Sequence, residues 1–247
     1  MNILFITVDS LRYDHFDREK GYFTFKELNN PIIFINTVSN GPATPSSFKC
    51  IFTGCYWRTL SEEERRKRMM AKLFQRNGYK TIGVQSNTPL TIGGEFSEGF
   101  DIYEDTWIPW LGFDRNKKIT KMLEKLYYYY NGHPSLSAKA TTDKCLKLMD
   151  QTNENFFFWQ HYMNVHVPYF LKSNLNLYDK HRANKIFQKA KFSPEKLTQR
   201  EKEYLEKAYD KEVDRVDKEI SRLLQGIKDR GLWEDTVIVI TSDHGDA

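Results

Sequence analysis

Four short segments of this chain carry side chains that can hold a cation or attack an ester. Asp9 ends the apolar, β-branched run Ile3 to Val8. A carboxylate at the end of such a strand stands where open α/β sheets bind ligands, and it is a hard-metal ligand. It can equally cap a helix that starts near Ser10-Leu11-Arg12. Gly41 to Phe48 reads GPATPSSF. Pro45 suits the first helical position, which puts Thr44 at the N-cap. Free N–H groups and the positive end of the dipole favour a tetrahedral anion there, and a hydroxyl beside a cation can be deprotonated to attack it. A plain helix start fits the same residues. Asp243 and His244 follow the apolar run Thr236 to Ile240, with Gly245 allowing a tight turn. Carboxylate beside imidazole suits zinc, manganese or a similar ion, and His is not a usual turn residue. His166 lies between a strand candidate and Pro168. It can hold a substrate oxygen or protonate a leaving group, or simply be an exposed loop residue. His161 falls nearer the strand and reads as packed.

The elements that must position these residues alternate. Ile3 to Val8, Pro31 to Val38, Lys80 to Gln85, Phe156 to Gln160 and Thr236 to Ile240 read as strands. The first and last are apolar throughout, the pattern of strands buried on both faces of a parallel sheet. Ser61 and Glu64 form a capping-box pattern ahead of a helix that stops at Asn77-Gly78. Lys118 to Tyr130 and Glu201 to Gln225 carry apolar residues at helical spacing. Lys172 to Pro194 is polar and reads as an irregular surface insertion. Strand and helix in alternation predict an α/β fold, a doubly wound α/β/α sandwich with a mostly parallel central sheet.

Composition narrows the function classes. At 247 residues the chain is long enough for one α/β domain with a sizeable core. A net charge of +4, with both signs interleaved, offers no basic stripe for nucleic acid. No run approaches the roughly 20 apolar residues of a membrane span. Cys50, Cys55 and Cys145 are odd in number without paired spacing, which favours a reducing compartment. The opening MNILFITVDSLR does not read as a signal peptide. These features predict a cytoplasmic protein without nucleic-acid or membrane partners; they say nothing of oligomeric state, and the small positive excess is nearly uninformative about a substrate.

Taken together, the segments resemble the sulfatase branch of the alkaline-phosphatase superfamily. NILFITVDSLR resembles its first strand with the leading metal-binding Asp, and TPSSFKCIFTG its nucleophile motif. HVPY is similar to its His-x-Pro-Tyr, and Tyr209 with Val213 and Val216-Asp217 to its long helix before the last strand. TVIVITSDHGD is the most specific match. The resemblance covers essentially the whole chain, residues 1–247, in the family's order. It implies an alkaline-phosphatase-like fold and one divalent cation (Zn, Mn, Ca or Mg) held by Asp9, Thr44, Asp243 and His244. It further implies Thr44 as nucleophile and His166 as catalytic and substrate contact.

Three departures stand out. Thr44 cannot become the formylglycine aldehyde of true sulfatases, and resembles the superfamily's phosphodiesterases, nucleotide pyrophosphatases and phosphoglycerol transferases. Phe48 stands where the motif has arginine, and Asn87 where the family has a substrate-binding lysine. The implied activity is hydrolysis of anionic esters, with phosphate favoured. A true sulfatase and a non-catalytic relic that binds anions or partners are the alternatives. Relatives continue beyond the Asp-His pair, so a C-terminal portion is expected to be missing. A loosely held final loop, weak metal affinity, little turnover and exposed apolar surface would follow.

Overall fold

The computed structural model describes residues 1–16, 18–56, 58–91, 94–105, 136–152, 154–169 and 177–246. The helix expected over 118–130 lies outside the described residues. Five strands form one all-parallel sheet: β1 (Asn2–Val8), β2 (Lys80–Gln85), β3 (Ile102–Asp105), β4 (Phe156–Tyr162) and β5 (Thr236–Ser242), in the order β3-β2-β4-β1-β5. Parallel strands require crossovers, and helices supply them: α1 (Phe23–Leu28), α2 (Thr44–Thr53), α3 (Glu62–Arg68), α4 (Met70–Arg76), α5 (Ala138–Met149), α6 (Leu177–Phe192) and α7 (Gln199–Asp229).

Two cores, one on each face of the sheet, make this an α/β/α sandwich. Period-two alternation sends Leu4, Ile6, Val8, Phe156 and Phe158 to one face, against Val213, Val216, Ile220 and Leu224 of α7 and Cys145 of α5. Phe5, Phe157 and Trp159 point the other way and meet Phe48 and Phe52 of α2. β4 is buried along its whole length. β5 differs from the expectation of burial on both faces: Val237 and Val239 are 44% and 42% exposed, because β5 is the edge strand of this sheet and one face is uncovered.

Other readings are corrected. Residues 31–38 form no strand and are largely exposed, since no neighbouring strand offers them a ladder. The capping box at Ser61 and Glu64 is present, but the helix it starts breaks at the buried Met69. The supposed irregular insertion contains α6, which buries Ala183 and Ile186, three residues apart on one face. The polar sequence around those two positions hid the helix.

Candidate active site

All five strands run the same way, so their C-terminal ends share one edge, where open α/β sheets bind ligands. Asp9 follows β1, Asn87 follows β2, His166 follows β4, and Asp243 with His244 follows β5. Neighbouring β1 and β5 bring together two carboxylates 234 residues apart in sequence. Asp9, Asp243 and His244 each offer a ligand atom, and these atoms lie within 4.8 Å of one another.

No helix begins at Ser10, so Asp9 is not a cap. Ser10 instead adopts a left-handed conformation, φ 58°, a cost of about 1–2 kcal/mol for a non-glycine residue. That turn aims Ser10 N–H at Asp243 Oδ1, 3.0 Å away. Tyr209 of α7 braces the turn: its hydroxyl donates to Ser10 O at 2.8 Å and accepts from Arg12 N at 2.7 Å. Asp217, further along α7, accepts from Phe23 N and Thr24 N at the start of α1. The long-helix motif thus anchors the segment after β1.

Thr44 is the first residue of α2 rather than its N-cap, which is Ala43. Its hydroxyl donates toward Asp9 Oδ2 at 3.2 Å and lies 3.2 Å from His244 Nε2. Gly41 is essential to this placement: a Cβ there would stand 2.5 Å from Ser47 N and 2.6 Å from Ser46 C, in the first turn of α2. Only glycine lets the loop pass so close.

The final loop is tied in, contrary to the expectation that it hangs loose. Ser39 and Ser47 hydroxyls donate to Asp243 O, Leu11 N donates to Ser242 Oγ, and Tyr169 bonds Asp246. Exposed apolar surface is present, at Ile32, Phe34, Ile35, Val38 and the outer face of β5.

The donors fit a cation. His244 Nδ1 lies 2.8 Å from Gly245 O, which can only accept, so the Nε2 lone pair faces the carboxylates. That Nε2 is 3.5 Å from Asp243 Oδ2 and 3.9 Å from Asp9 Oδ1. Asp243 Oδ2 is buried without a hydrogen-bond partner among the described residues, although Oδ1 accepts from Ser10 N and His244 N. Three lone-pair groups converge, and among the described residues Asp243 Oδ2 and His244 Nε2 share no proton donor of their own beyond the Thr44 hydroxyl beside His244. Burial pushes the Asp243 carboxyl up, and the charge of Asp9 adds to it. Burial would do the same to Asp9, but the hydrogen bonds from His161 and from the Ser10 hydroxyl act against it, and that carboxyl is held well below the usual range.

Asn87 is buried at the site, but its Nδ2 donates to Asp9 Oδ2 at 2.7 Å. His166 is half-buried, with Nδ1 2.6 Å from Val167 O, a partner that can only accept. His161, read from sequence as packed, is fully buried yet lies 3.4 Å from Asp9 Oδ2. Its period-two offset from Trp159 puts both on one face of β4; that this face meets Asp9 is set by the register of β4 against β1.

The fold and this edge constellation define a member of the sulfatase and alkaline-phosphatase superfamily. The chain belongs to the sulfatase family, whose model matches residues 1–247. No curated protein matches it in sequence. Among solved structures it is similar to the lipoteichoic acid synthase LtaP of Listeria monocytogenes, with 18% identity, TM-score 0.62, and 100% of this chain and 56% of that one covered. It is also similar to a phosphonate monoester hydrolase of Agrobacterium radiobacter, with 15% identity, TM-score 0.64, and 99% and 62% covered. A third is the integral membrane lipooligosaccharide phosphoethanolamine transferase EptA of Neisseria meningitidis, with 15% identity, TM-score 0.65, and 99% and 42% covered. At these identities the likeness shows the fold. The chain spans less than two thirds of each structure's length. Among the described residues no helix is long and apolar enough to cross a membrane.

Proposed function

We propose that the chain cleaves small anionic esters, phosphate in preference to sulfate, with Thr44 as nucleophile and one divalent cation held by Asp9, Thr44, Asp243 and His244. The observation that carries this reading is the Thr44 hydroxyl, 3.2 Å from members of the carboxylate–imidazole triad on either side. A cation bound there would supply positive charge to the hydroxyl oxygen and to the oxygens of the ester, commonly the largest catalytic contribution. Carboxylate and hydroxyl oxygens suit Mg, Ca or Mn, while the imidazole admits Zn or Mn.

The chain's own residues do the rest. Asp9 Oδ2 accepts the Thr44 proton in the resting site and so turns the remaining lone pairs of the oxygen toward the ester; with a cation bound, that proton would pass to solvent water before the oxygen attacks. That oxygen bonds to phosphorus as the ester oxygen leaves, and His166 delivers a proton to the departing oxygen from Nε2. Water or an acceptor alcohol then takes the phosphoryl group from Thr44. A threonine cannot supply the aldehyde chemistry of true sulfatases, which supports phosphate as the substrate. An odd count of three cysteines without paired spacing supports a cytoplasmic setting. We assign no role to nucleic acid or membrane.

The test is turnover of bis(p-nitrophenyl) phosphate against p-nitrophenyl sulfate with Mn²⁺ present. Faster release from the phosphate ester is expected, and turnover of the sulfate alone would overturn the reading. His166→Ala should keep its Mn²⁺ and lose on the order of 10²–10⁴-fold in rate, the range for a general acid. Loss of the metal in that variant would make His166 a ligand instead. Gly41→Ala should fold but displace the first turn of α2. A shift of about 1 Å at a nucleophile costs roughly 10²-fold, so kcat should fall by about that factor with little change in Mn²⁺ affinity.

A further inference from the structure

We infer that His161 is a positioning residue that fixes the Asp9 carboxylate, and that it is itself oriented by a buried hydrogen-bond relay running from Trp159 through Thr7. This rests on the reading of Asp9 as a cation ligand. Strand register creates the relay. Thr7 of β1 stands directly opposite His161 of β4, and Trp159 lies two residues back on the same face. Thr7, Asp9, Trp159 and His161 are all fully buried.

The direction of the relay follows from donor chemistry. An indole nitrogen can only donate, and Trp159 Nε1 lies 2.9 Å from Thr7 Oγ1. The single Thr7 proton then has two acceptors: Gln160 O at 3.4 Å and His161 Nδ1 at 2.8 Å. The shorter bond takes it. His161 Nδ1 is therefore an acceptor, and Nε2 carries the hydrogen that faces Asp9 Oδ2 at 3.4 Å. The imidazole cannot swing away, because Phe48 meets it edge-on at 5.1 Å and the Trp159 ring stacks at 5.9 Å.

His161 and Asn87 together occupy Asp9 Oδ2 from the core side. With the Ser10 hydroxyl donating to Oδ1 at 2.8 Å, this fixes the carboxylate with Oδ1 on the side of His244 and Asp243, the direction in which a cation is shared. Partners of this kind commonly change metal affinity by about 10–100-fold. An imidazole held by core aromatics gives the carboxylate one orientation before any cation arrives, so less ordering falls on the binding step.

The test measures Mn²⁺ binding by calorimetry and the ¹⁵N resonances of His161 in the metal-free protein. His161→Phe keeps the ring volume but removes the donor, and should weaken Mn²⁺ binding about 10–100-fold. His161→Gln, whose terminal amide reaches the Nε2 position, should recover most of that loss. Mn²⁺ affinity in His161→Phe within threefold of wild type would overturn the inference, as would failure of His161→Gln to rescue. Should His161→Phe not fold, the resonances decide: the relay requires an unprotonated Nδ1 and a protonated Nε2. A proton on Nδ1, or on both nitrogens, would overturn it. A wild-type chain that takes up no Mn²⁺ while showing the expected tautomer would count against the cation site rather than the relay.

Discussion

Thr44→Ala is expected to abolish turnover, with a loss on the order of 10⁶-fold, the scale on which removal of an enzyme's nucleophile is felt. Folding should be nearly unchanged. Thr44 is the first residue of α2 and not its cap, so alanine loses no capping bond and is a good helix former. The hydrogen bonds lost are those to Asp9 and His244, which belong to the site. Thr44→Ser keeps the hydroxyl and should keep activity within about tenfold, since serine lacks the β-branch that restricts χ1 and must order a freer side chain. The measurement is single-turnover release of p-nitrophenol from an aryl phosphodiester, with thermal unfolding of both variants alongside. An active Thr44→Ala protein would remove Thr44 from the chemistry altogether.

Asp243→Asn is expected to eliminate tight cation binding and to make the metal-free chain more stable. The Oδ2 position of Asp243 has no hydrogen-bond partner among the described residues and faces Asp9 and the lone pair of His244. An amide nitrogen there replaces an acceptor with a donor 3.5 Å from the His244 lone pair, while Oδ1 continues to accept from Ser10 N and His244 N. Satisfying a buried polar atom and removing its repulsion is worth about 1–3 kcal/mol.

The sign with pH follows from the direction of the shift. Asp243 is pushed up in the fold, so the native chain binds this proton more tightly than the unfolded one. Its favourable contribution is present in acid and disappears as pH rises through the raised value. Asp9, pushed down, acts in the opposite sense: its stabilisation is present near neutrality and is lost in acid. The stabilising effect of Asp243→Asn, measured by urea unfolding without metal, should therefore be larger at pH 8 than near pH 4. Saturating Mn²⁺ should reverse the order of stabilities, because the wild type alone gains from binding. A variant less stable than wild type at pH 8 without metal would show that the carboxylate has a partner of its own.

Several site residues were legible before any fold was known. An apolar β-branched run ending in a carboxylate, or in Asp-His, can be read locally. Such runs form strands, and a polar residue just past a strand's end lies at the sheet edge. Asp9, Asp243 and His244 were found this way. Thr44 came from the proline after it, although the helix begins one residue earlier than that proline suggested. The strand expected at Pro31 to Val38 failed, because its apolar residues lie where no partner strand runs and stay exposed.

The tertiary structure alone decided what the carboxylates do to each other. Adjacency of β1 to both β4 and β5 is a property of strand order, and no local pattern encodes it. That order brings Asp9 against Asp243, whose carboxyl it helps push up, and brings His161 against Asp9, whose carboxyl is held down. It also sets Thr7 opposite His161, so that a histidine indistinguishable in sequence from packing material lies against Asp9. Side-chain type and strand end determined which residues could bind a cation. Parallel register between segments more than 150 residues apart determined which of them face one another, because hydrogen-bond pairing across a sheet depends on neighbours that are remote along the chain.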